Sequence, residues 1–234
     1  MTRIIHRVHT VDSTQDEARR LLDAGEAGPR HIIVADQQTD GRGRFGRSWL
    51  SPAGGLYATF VTPRHEQIAL VAGVALLGAL ETFGIQAGLK WPNDVLVGDK
   101  KIAGLLIETM PDAALVGVGV NITSVPLDTA TSIQAAGGAV RRGDLLLALA
   151  ELLDKAATGD VASAYRQRLA TIGRRVAVAR SDGEVVRGTA VDVDRDGRLV
   201  VETESGLRAM SSGECHHLQD EASWRGGCDT DKLE

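Results

Sequence analysis

The sequence has few cysteines and lacks the apolar segments that mark secreted or membrane proteins. Only Cys215 and Cys228 occur in 234 residues. Two cysteines without metal-ligand spacing build neither a disulfide framework nor a metal site, which favours a reducing compartment. The first residues contain no apolar signal-peptide core, and no apolar run approaches the ~20 residues that span a bilayer. We therefore expect a cytoplasmic protein with no membrane partner.

An excess of positive charge is also missing. Lys and Arg total 26 against 31 Asp and Glu, so the net charge is −5 at pH 7. Nucleic-acid-binding proteins generally present a basic face, and we expect no nucleic-acid partner here, although a local basic cluster can still bind an anion. The hydrophobic content of 43% suits a globular core. The length allows one medium domain followed by a small one.

Helix and strand patterns alternate over the first 172 residues. Strands are predicted at 31–37, 55–61 and 114–122, and a pair joined by a Gly-Asp turn at 94–109. Helices are predicted at 12–24, 66–83, 143–158 and 160–170. Ser13 or Thr14 is the expected N-cap of the first helix, with Glu17 completing a capping box after Thr14. The alternation predicts an α/β domain over residues 1–172.

The pattern changes after Gly173 to short strands separated by turn residues. Asp182-Gly183, Asp196-Gly197 and Ser205-Gly206 follow each other at hairpin spacing. This spacing predicts a small all-β barrel over residues 173–220. The polar residues 221–234 are predicted to be a loose tail.

The stretch QQTDGRGRFGRSW (37–49) contains a glycine-rich loop. Gly41, Gly43 and Gly46 have the G-x-G-x-x-G spacing of a dinucleotide-binding turn. In that turn a helix follows at once, and an acidic residue lies about 20 positions further on. Here proline and two glycines follow within residues 50–55, and no such acidic residue is present. The context therefore argues against a nicotinamide-dependent dehydrogenase.

The same loop is either a solvated basic segment or an anion-binding lid. Arg42, Arg44 and Arg47 share it with Phe45 and Trp49. Glycines let backbone N–H groups approach an anion, and guanidinium groups donate two hydrogen bonds to phosphate. A glycine-hinged loop of this kind can also close over a ligand.

Two further segments carry polar groups at the start of strands. In KWPND (90–94), Pro92 is hard to place in a helix or central strand, so the segment is a loop entering a strand. Asp94 is then either an Asx-type cap or a ligand. Lys101 precedes an apolar strand and, taken alone, would be a surface lysine.

Together these segments resemble the biotin protein ligases, over about residues 4–218. The matching motifs, in order, are DSTQ (12–15), QQTDGRGRFGRSW (37–49), GGLYATF (54–60), KWPNDV (90–95), KKIAGLLIE (100–108) and GVGVNI (117–122). The resemblance implies an α/β catalytic domain akin to class II aminoacyl-tRNA synthetases and lipoate ligases, followed by a small SH3-like β-barrel. Gln15 departs from the asparagine of many members. Because DST begins at residue 12, we expect no winged helix and no DNA-binding repressor role.

The implied activity is an ATP-dependent ligation in two steps. Biotin and ATP form biotinyl-5′-AMP, and biotin then passes to a lysine of a biotin carboxyl carrier protein. Mg²⁺ is the implied cofactor, and a homodimer through the catalytic sheet is an implied assembly. A lipoate or octanoate ligase and a biotin-binding protein without catalysis are the alternatives.

The resemblance also implies a role for individual residues. Arg44, Lys101 and Asp94 are the candidate catalytic residues, with Asp94 acting on Mg²⁺ or on the acceptor lysine. The implied biotin-binding residues are Ser13, Thr14, Gln15, Gln38, Arg42, Gly43, Arg44, Lys101 and Gly104. The implied ATP- and adenylate-binding residues are Arg42, Arg44, Arg47, Trp49, Lys90, Asn93 and Asn121.

Overall fold

The structure is a computed structural model that describes residues 3–123, 125 and 127–218, which form two β-sheets and four α-helices. The first sheet contains β1 (Ile4–Val11), β2 (His31–Gln38), β3 (Leu56–Pro63), β4 (Gly88–Lys90), β5 (Asp94–Val97), β6 (Lys100–Thr109) and β7 (Ala113–Val120). The helices are α1 (Thr14–Asp23), α2 (Ile68–Thr82), α3 (Arg142–Ala156) and α4 (Val161–Gln167). The second sheet contains β8 (Arg175–Ala179), β9 (Val185–Val193), β10 (Leu199–Thr203), β11 (Gly206–Met210) and β12 (Glu214–His217).

Helices cover both faces of the seven-stranded sheet. Its order is β1-β2-β3-β7-β6-β5-β4, with β1 and β2 parallel and the other neighbours antiparallel. Successive side chains of a strand point to opposite faces. Accordingly Ile32 and Val34 belong to the large core with α2 and α3, whereas Ile33 packs with Ala18 of α1. The predicted α/β architecture is confirmed.

The apolar segments are buried where the sequence predicted. In β7 every residue except Gly119 is buried, as expected for a strand covered on both faces. The nearly all-apolar α2 packs against α3 and against β4 and β6 of the sheet, while α3 contacts β3. None of the helices described is long and apolar enough to cross a membrane.

Two local predictions were wrong. Ser13 is the N-cap of α1, and its hydroxyl accepts from the N–H of Gln15 at 3.2 Å. The predicted capping box after Thr14 is therefore absent, because Asp16 and not Glu17 stands three residues after the cap. The predicted helix 160–170 ends at Gln167, because the next residues pair with β4: Leu89 donates to the Arg168 carbonyl and accepts from Ala170.

The second sheet is the small β module that the turn spacing predicted. Its order is β11-β10-β9-β8-β12, and all neighbours are antiparallel. Gly183, Gly197 and Gly206 take φ values of +87°, +81° and +112° in its turns, a backbone region that side chains with a Cβ rarely adopt. The predicted domain boundary near residue 172 falls between α4 and β8 and stays a prediction. The predicted tail, with Cys228, lies outside the described residues.

Candidate active site

One cleft gathers nearly all of the predicted site residues from distant parts of the chain. It encloses about 940 Å³, including space open to solvent, between the seven-stranded sheet, the glycine loop and β12. The predicted residues that line it are Ser13, Thr14, Gln15, Gln38, Arg42, Gly43, Arg44, Arg47, Trp49, Lys90, Asn93, Asp94, Lys101 and Gly104.

Asn121 is the predicted site residue that does not line this cleft. Its side chain is 6% exposed, and its Nδ2 donates to the carbonyl of Thr131 at 3.0 Å. Its backbone N–H donates to Ile102, and its carbonyl accepts from Ile133. Asn121 thus joins β6 to the segment 131–133, and its contact with adenine stays a prediction.

Buried amide and hydroxyl groups form the floor of the cleft. Gln38 Oε1 accepts from the N–H of Thr14 at 2.8 Å, and Gln38 Nε2 donates to Ser51 Oγ at 2.7 Å. Thr59 Oγ1 donates to Gln15 Oε1 at 3.1 Å. Gln15 Nε2 is buried and finds no hydrogen-bond partner among the described residues. A buried donor without a partner costs free energy, so this amide is suited to a ligand carbonyl.

Thr59 and Ser51 were missed by sequence reasoning. Thr59 is fully buried on β3, where it holds the side-chain oxygen of Gln15. The signal available in the sequence was a hydroxyl residue inside the apolar strand GLYATFV, since buried polar side chains need partners.

The indole of Trp49 lies flat against the strands that form the cleft wall. A Cβ built on Gly119 would lie 2.5 Å from the indole, and one built on Gly104 would lie 3.0 Å from it. Lys101 Nζ is 5.0 Å from the ring centroid, within the range of a cation–π contact. The two glycines therefore leave the space that the ring occupies.

Positive charge dominates the cleft. Among the described residues that line it, five are basic (Arg42, Arg44, Arg47, Lys90, Lys101) and two are acidic (Asp94, Glu214). Lys101 Nζ lies 2.7 Å from Asp94 Oδ1. Burial lowers the pKa of Arg44, and the charge of Arg47 adds to this, while Asp94 opposes it. A guanidinium that starts near 12.5 stays charged at neutral pH, so the cleft is suited to an anion.

The glycine loop is fixed at its base and strained at its tip. Gly41 accepts from the N–H of Trp49 at 2.7 Å, and a Cβ on Gly41 would lie 2.4 Å from the Trp49 carbonyl. At the tip, Phe45 is exposed and takes φ = +57°. A non-glycine residue in this region costs of order 1 kcal/mol and often marks a functional segment. The loop thus has a hydrogen-bonded base and an exposed residue of unfavourable φ at its tip.

The KWPND turn is anchored by the tryptophan and the asparagine on either side of the proline. Trp91 is 2% exposed, and its Nε1 donates to the Gly197 carbonyl of the second sheet at 2.9 Å. Asn93 Nδ2 donates to the carbonyl of Leu105 on β6 at 2.8 Å. Trp91 is thus a core anchor, and the turn holds Asp94 beside Lys101.

The second sheet contributes one wall of the cleft, which sequence reasoning had not assigned. Gly213, Glu214 and Cys215 line the cleft. Arg44 donates to the Gly213 carbonyl at 3.4 Å, and Arg47 forms an ion pair with Glu214. Burial raises the pKa of the Cys215 thiol to about 12, so this cysteine is not a thiolate nucleophile at neutral pH.

Replacing Gly119 with alanine is expected to displace the Trp49 indole, because the new methyl group overlaps the ring. The indole then becomes more accessible, and acrylamide quenching of tryptophan fluorescence should increase relative to wild type, since Trp91 is buried and the signal of Trp224 is common to the proteins compared. Gly143→Ala is the matched control, because a Cβ there meets no atom within 4 Å. Equal quenching of the two variants would contradict the packing described.

Comparison with known proteins identifies both sheets. Residues 8–123 match the biotin/lipoate A/B protein ligase family, and residues 171–218 match the biotin protein ligase C terminal domain. The biotin–[acetyl-CoA-carboxylase] ligase of Mycobacterium tuberculosis is 33% identical over 210 residues, covering 80% of this chain and 79% of the relative. The ligase of the same name from Paracoccus denitrificans is 31% identical over 236 residues, covering 87% and 96% of the two chains.

A solved structure agrees with these matches. The biotin protein ligase of Aquifex aeolicus in complex with biotin and ATP superposes with a TM-score of 0.81 at 29% identity, covering 94% of this chain and all of that chain. The predicted fold class is confirmed, including the class II synthetase-like catalytic domain. This chain belongs to the biotin protein ligase family.

Proposed function

We propose that this chain is an ATP-dependent biotin protein ligase that acts on a lysine of a biotin carboxyl carrier protein. The observation that carries the proposal is the single cleft in which a buried, unpaired amide donor, Gln15 Nε2, lies below the arginines of the glycine loop. The amide suits a neutral ring with a carbonyl, and the arginines suit carboxylate and phosphate. Two relatives named biotin–[acetyl-CoA-carboxylase] ligase support the same function.

The floor of the cleft is the proposed seat of the biotin ring. The ureido group has one carbonyl acceptor and two N–H donors. Gln15 Nε2 is the available donor, while the hydroxyls of Ser13 and Thr14 and the side chain of Gln38 offer further polar contacts. Gly104 and the backbone of β6 leave space for the rest of the ring. A mostly apolar slot with a few polar groups is typical of small-molecule sites.

In the first step two anions must approach each other. A carboxylate oxygen of biotin attacks the α-phosphorus, the bond to the bridging oxygen breaks, and pyrophosphate leaves with the electron pair. Arg44 and Lys101 lie where they can neutralise the carboxylate and the α-phosphate, and Arg42, Arg47 and Lys90 extend the positive charge along the cleft. Positioning and charge compensation are the main contributions of a protein to such chemistry.

Mg²⁺ is proposed to enter with ATP. The described residues contain no group of three or more His, Cys, Asp or Glu side chains that could hold a metal by themselves. Mg²⁺ is commonly held by one or two carboxylates together with substrate phosphates, and Asp94 is a carboxylate in the cleft that fits this pattern. The ion would neutralise phosphate charge.

In the second step the amine of the acceptor lysine attacks the acyl carbon, and AMP leaves. The amine must first lose a proton, and Asp94 is the proposed group that orients or deprotonates it, because its carboxylate lies beside Lys101 in the cleft. Trp49 and Asn93 would border the adenylate. The mixed anhydride hydrolyses in water, and the glycine loop is the proposed lid that excludes it.

The decisive test is mass spectrometry of a carrier domain incubated with Mg-ATP, this protein, and biotin or lipoate in parallel. We expect one lysine to gain one biotin unit, with no lipoyl product. Octanoate in a third reaction tests the remaining related substrate. Lipoyl or octanoyl transfer with no biotinylation would show that the chain is a lipoate or octanoate ligase. No transfer of any acyl group would refute the ligase proposal.

Arg44→Gly is expected to release the adenylate into solution. It removes a half-buried charge that lines the cleft and is hydrogen-bonded to the Gly213 carbonyl. Since a hydrogen bond to a charged group contributes ~1.5–3 kcal/mol, free biotinyl-AMP should rise roughly tenfold or more. Labelling of lysines on an unrelated bystander protein measures the release. Arg195→Gly is the control, because Arg195 is 91% exposed; equal labelling by both variants would contradict the lid.

Asp94→Asn is expected to slow transfer from isolated biotinyl-AMP to the acceptor by roughly 10²-fold or more, the range of a lost general base. Biotin-dependent ATP–pyrophosphate exchange, measured separately, reports any part that Asp94 plays in the first step. Asp99→Asn, at an exposed carboxylate, is the matched control. Wild-type rates in both assays would remove Asp94 from the mechanism.

A further inference from the structure

Glu214 links the glycine loop to a histidine on the second sheet. Its Oε2 forms the ion pair with Arg47, and its Oε1 lies 3.4 Å from His216 Nε2. Glu214 and His216 are two residues apart on β12, so their side chains lie on the same face of that strand. Arg47, Glu214 and His216 therefore form one chain of contacts between the glycine loop and β12, called here the Arg47–Glu214–His216 relay.

The surroundings of His216 disfavour its protonated form. Burial lowers its pKa, and the positive charges of Lys90 on β4 and Arg47 on the loop lower it further. Among the described residues, Glu214 is the carboxylate that contacts His216, and it is already paired with Arg47. The ring nitrogen Nε2 is buried and makes no hydrogen bond within the described structure.

His217, the next residue, differs in its surroundings. Its Nε2 lies 3.0 Å from the hydroxyl of Thr171, which also accepts from the N–H of Trp91. Burial lowers the pKa of His217 to about 4, with Lys90, Arg174 and His216 adding to the effect and Asp99 opposing it. His217 is therefore a neutral structural residue with no contact to the loop.

We propose that His216 is a positioning residue for the nucleotide: when Arg47 leaves Glu214 for the phosphates of ATP, His216 takes up a proton and becomes the cationic partner of Glu214. The proposal rests on the proposed function, because it requires Arg47 to contact phosphate. The proton comes from solvent, and no covalent bond changes. Without this exchange an unpaired carboxylate would lie beside the incoming phosphates, and an uncompensated charge of that kind is costly.

Nucleotide affinity should depend on pH, and the exchange of partners at Glu214 determines the direction of that dependence. Departure of Arg47 and arrival of phosphate both favour protonated His216, so its pKa rises from the lowered resting level when the nucleotide binds. The complex then holds more protons than the free protein at pH values between the two pKa levels. Nucleotide affinity contributed by His216 therefore increases as the pH falls through that interval and is lost as the pH rises above it, by up to about tenfold per pH unit.

The test is isothermal titration of biotin-saturated protein with Mg-α,β-methylene-ATP, which cannot release pyrophosphate. Repeating it at pH 6.5 in buffers of different ionisation enthalpy gives the number of protons taken up. Wild type and the matched control His217→Gln should take up more protons than His216→Gln, by up to one per site. Glu214→Gln should lose part of this uptake, because protonated His216 then has no carboxylate partner, while the incoming phosphate still favours the protonated ring. Proton release by the nucleotide itself is common to all four proteins and cancels.

Equal proton uptake by wild type and His216→Gln would overturn the proposal, and so would uptake by Glu214→Gln equal to that of wild type. Biotin-dependent ATP–pyrophosphate exchange is measured on the same samples, and each proton-uptake result is compared with that activity. Normal exchange with equal uptake refutes the relay and leaves the ligase proposal standing. No exchange and no nucleotide binding in the wild type refutes both.

Discussion

The concentration of positive charge in one cleft is the constraint on which the rest of this structure depends. Five basic side chains converge there with only two carboxylates among the described lining residues. Like charges at such distances repel one another, so the fold must hold them in place at a cost in stability. It does so with Asp94 beside Lys101, Glu214 beside Arg47, and a backbone carbonyl beside Arg44. Each of these contacts lies within the cleft and partly offsets its positive charge.

The second sheet lies next to the first and supplies some of the groups that pair with the basic residues of the cleft. Trp91 from the KWPND turn donates to Gly197, which ties that turn to the β9–β10 connection. Glu214 on β12 meets the loop arginine from the other side. The β module thereby forms a wall of the cleft and sets the resting position of the loop. The β module and the cleft are thus joined through contacts of a few side chains.

The site could be predicted to the extent that its residues lie in short contiguous motifs. The loop at 37–49 and the turn at 90–94 brought Arg44, Trp49 and Asp94 into consideration together, and all three line the cleft. The failures were of two kinds. The capping rule offered Ser13 or Thr14 and Ser13 is the cap, so the capping box expected from Thr14 and Glu17 is absent. The helix predicted over 160–170 ends early, because a local rule does not include the partner that competes for its last residues. For 168–170 that partner is β4, some eighty residues earlier in the chain.

By itself the sequence determined the alternation of helices and strands, the change to a β module near residue 173, and the motifs that mark the family, because periodicity and turn chemistry are local properties. Only the tertiary structure decided that Thr59 orients Gln15, that Asn121 faces β6 and the segment 131–133 and not the cleft, and that Glu214 holds Arg47. These facts depend on pairs of side chains far apart in the chain. Their proximity is set by sheet order and packing, which no single stretch of residues encodes.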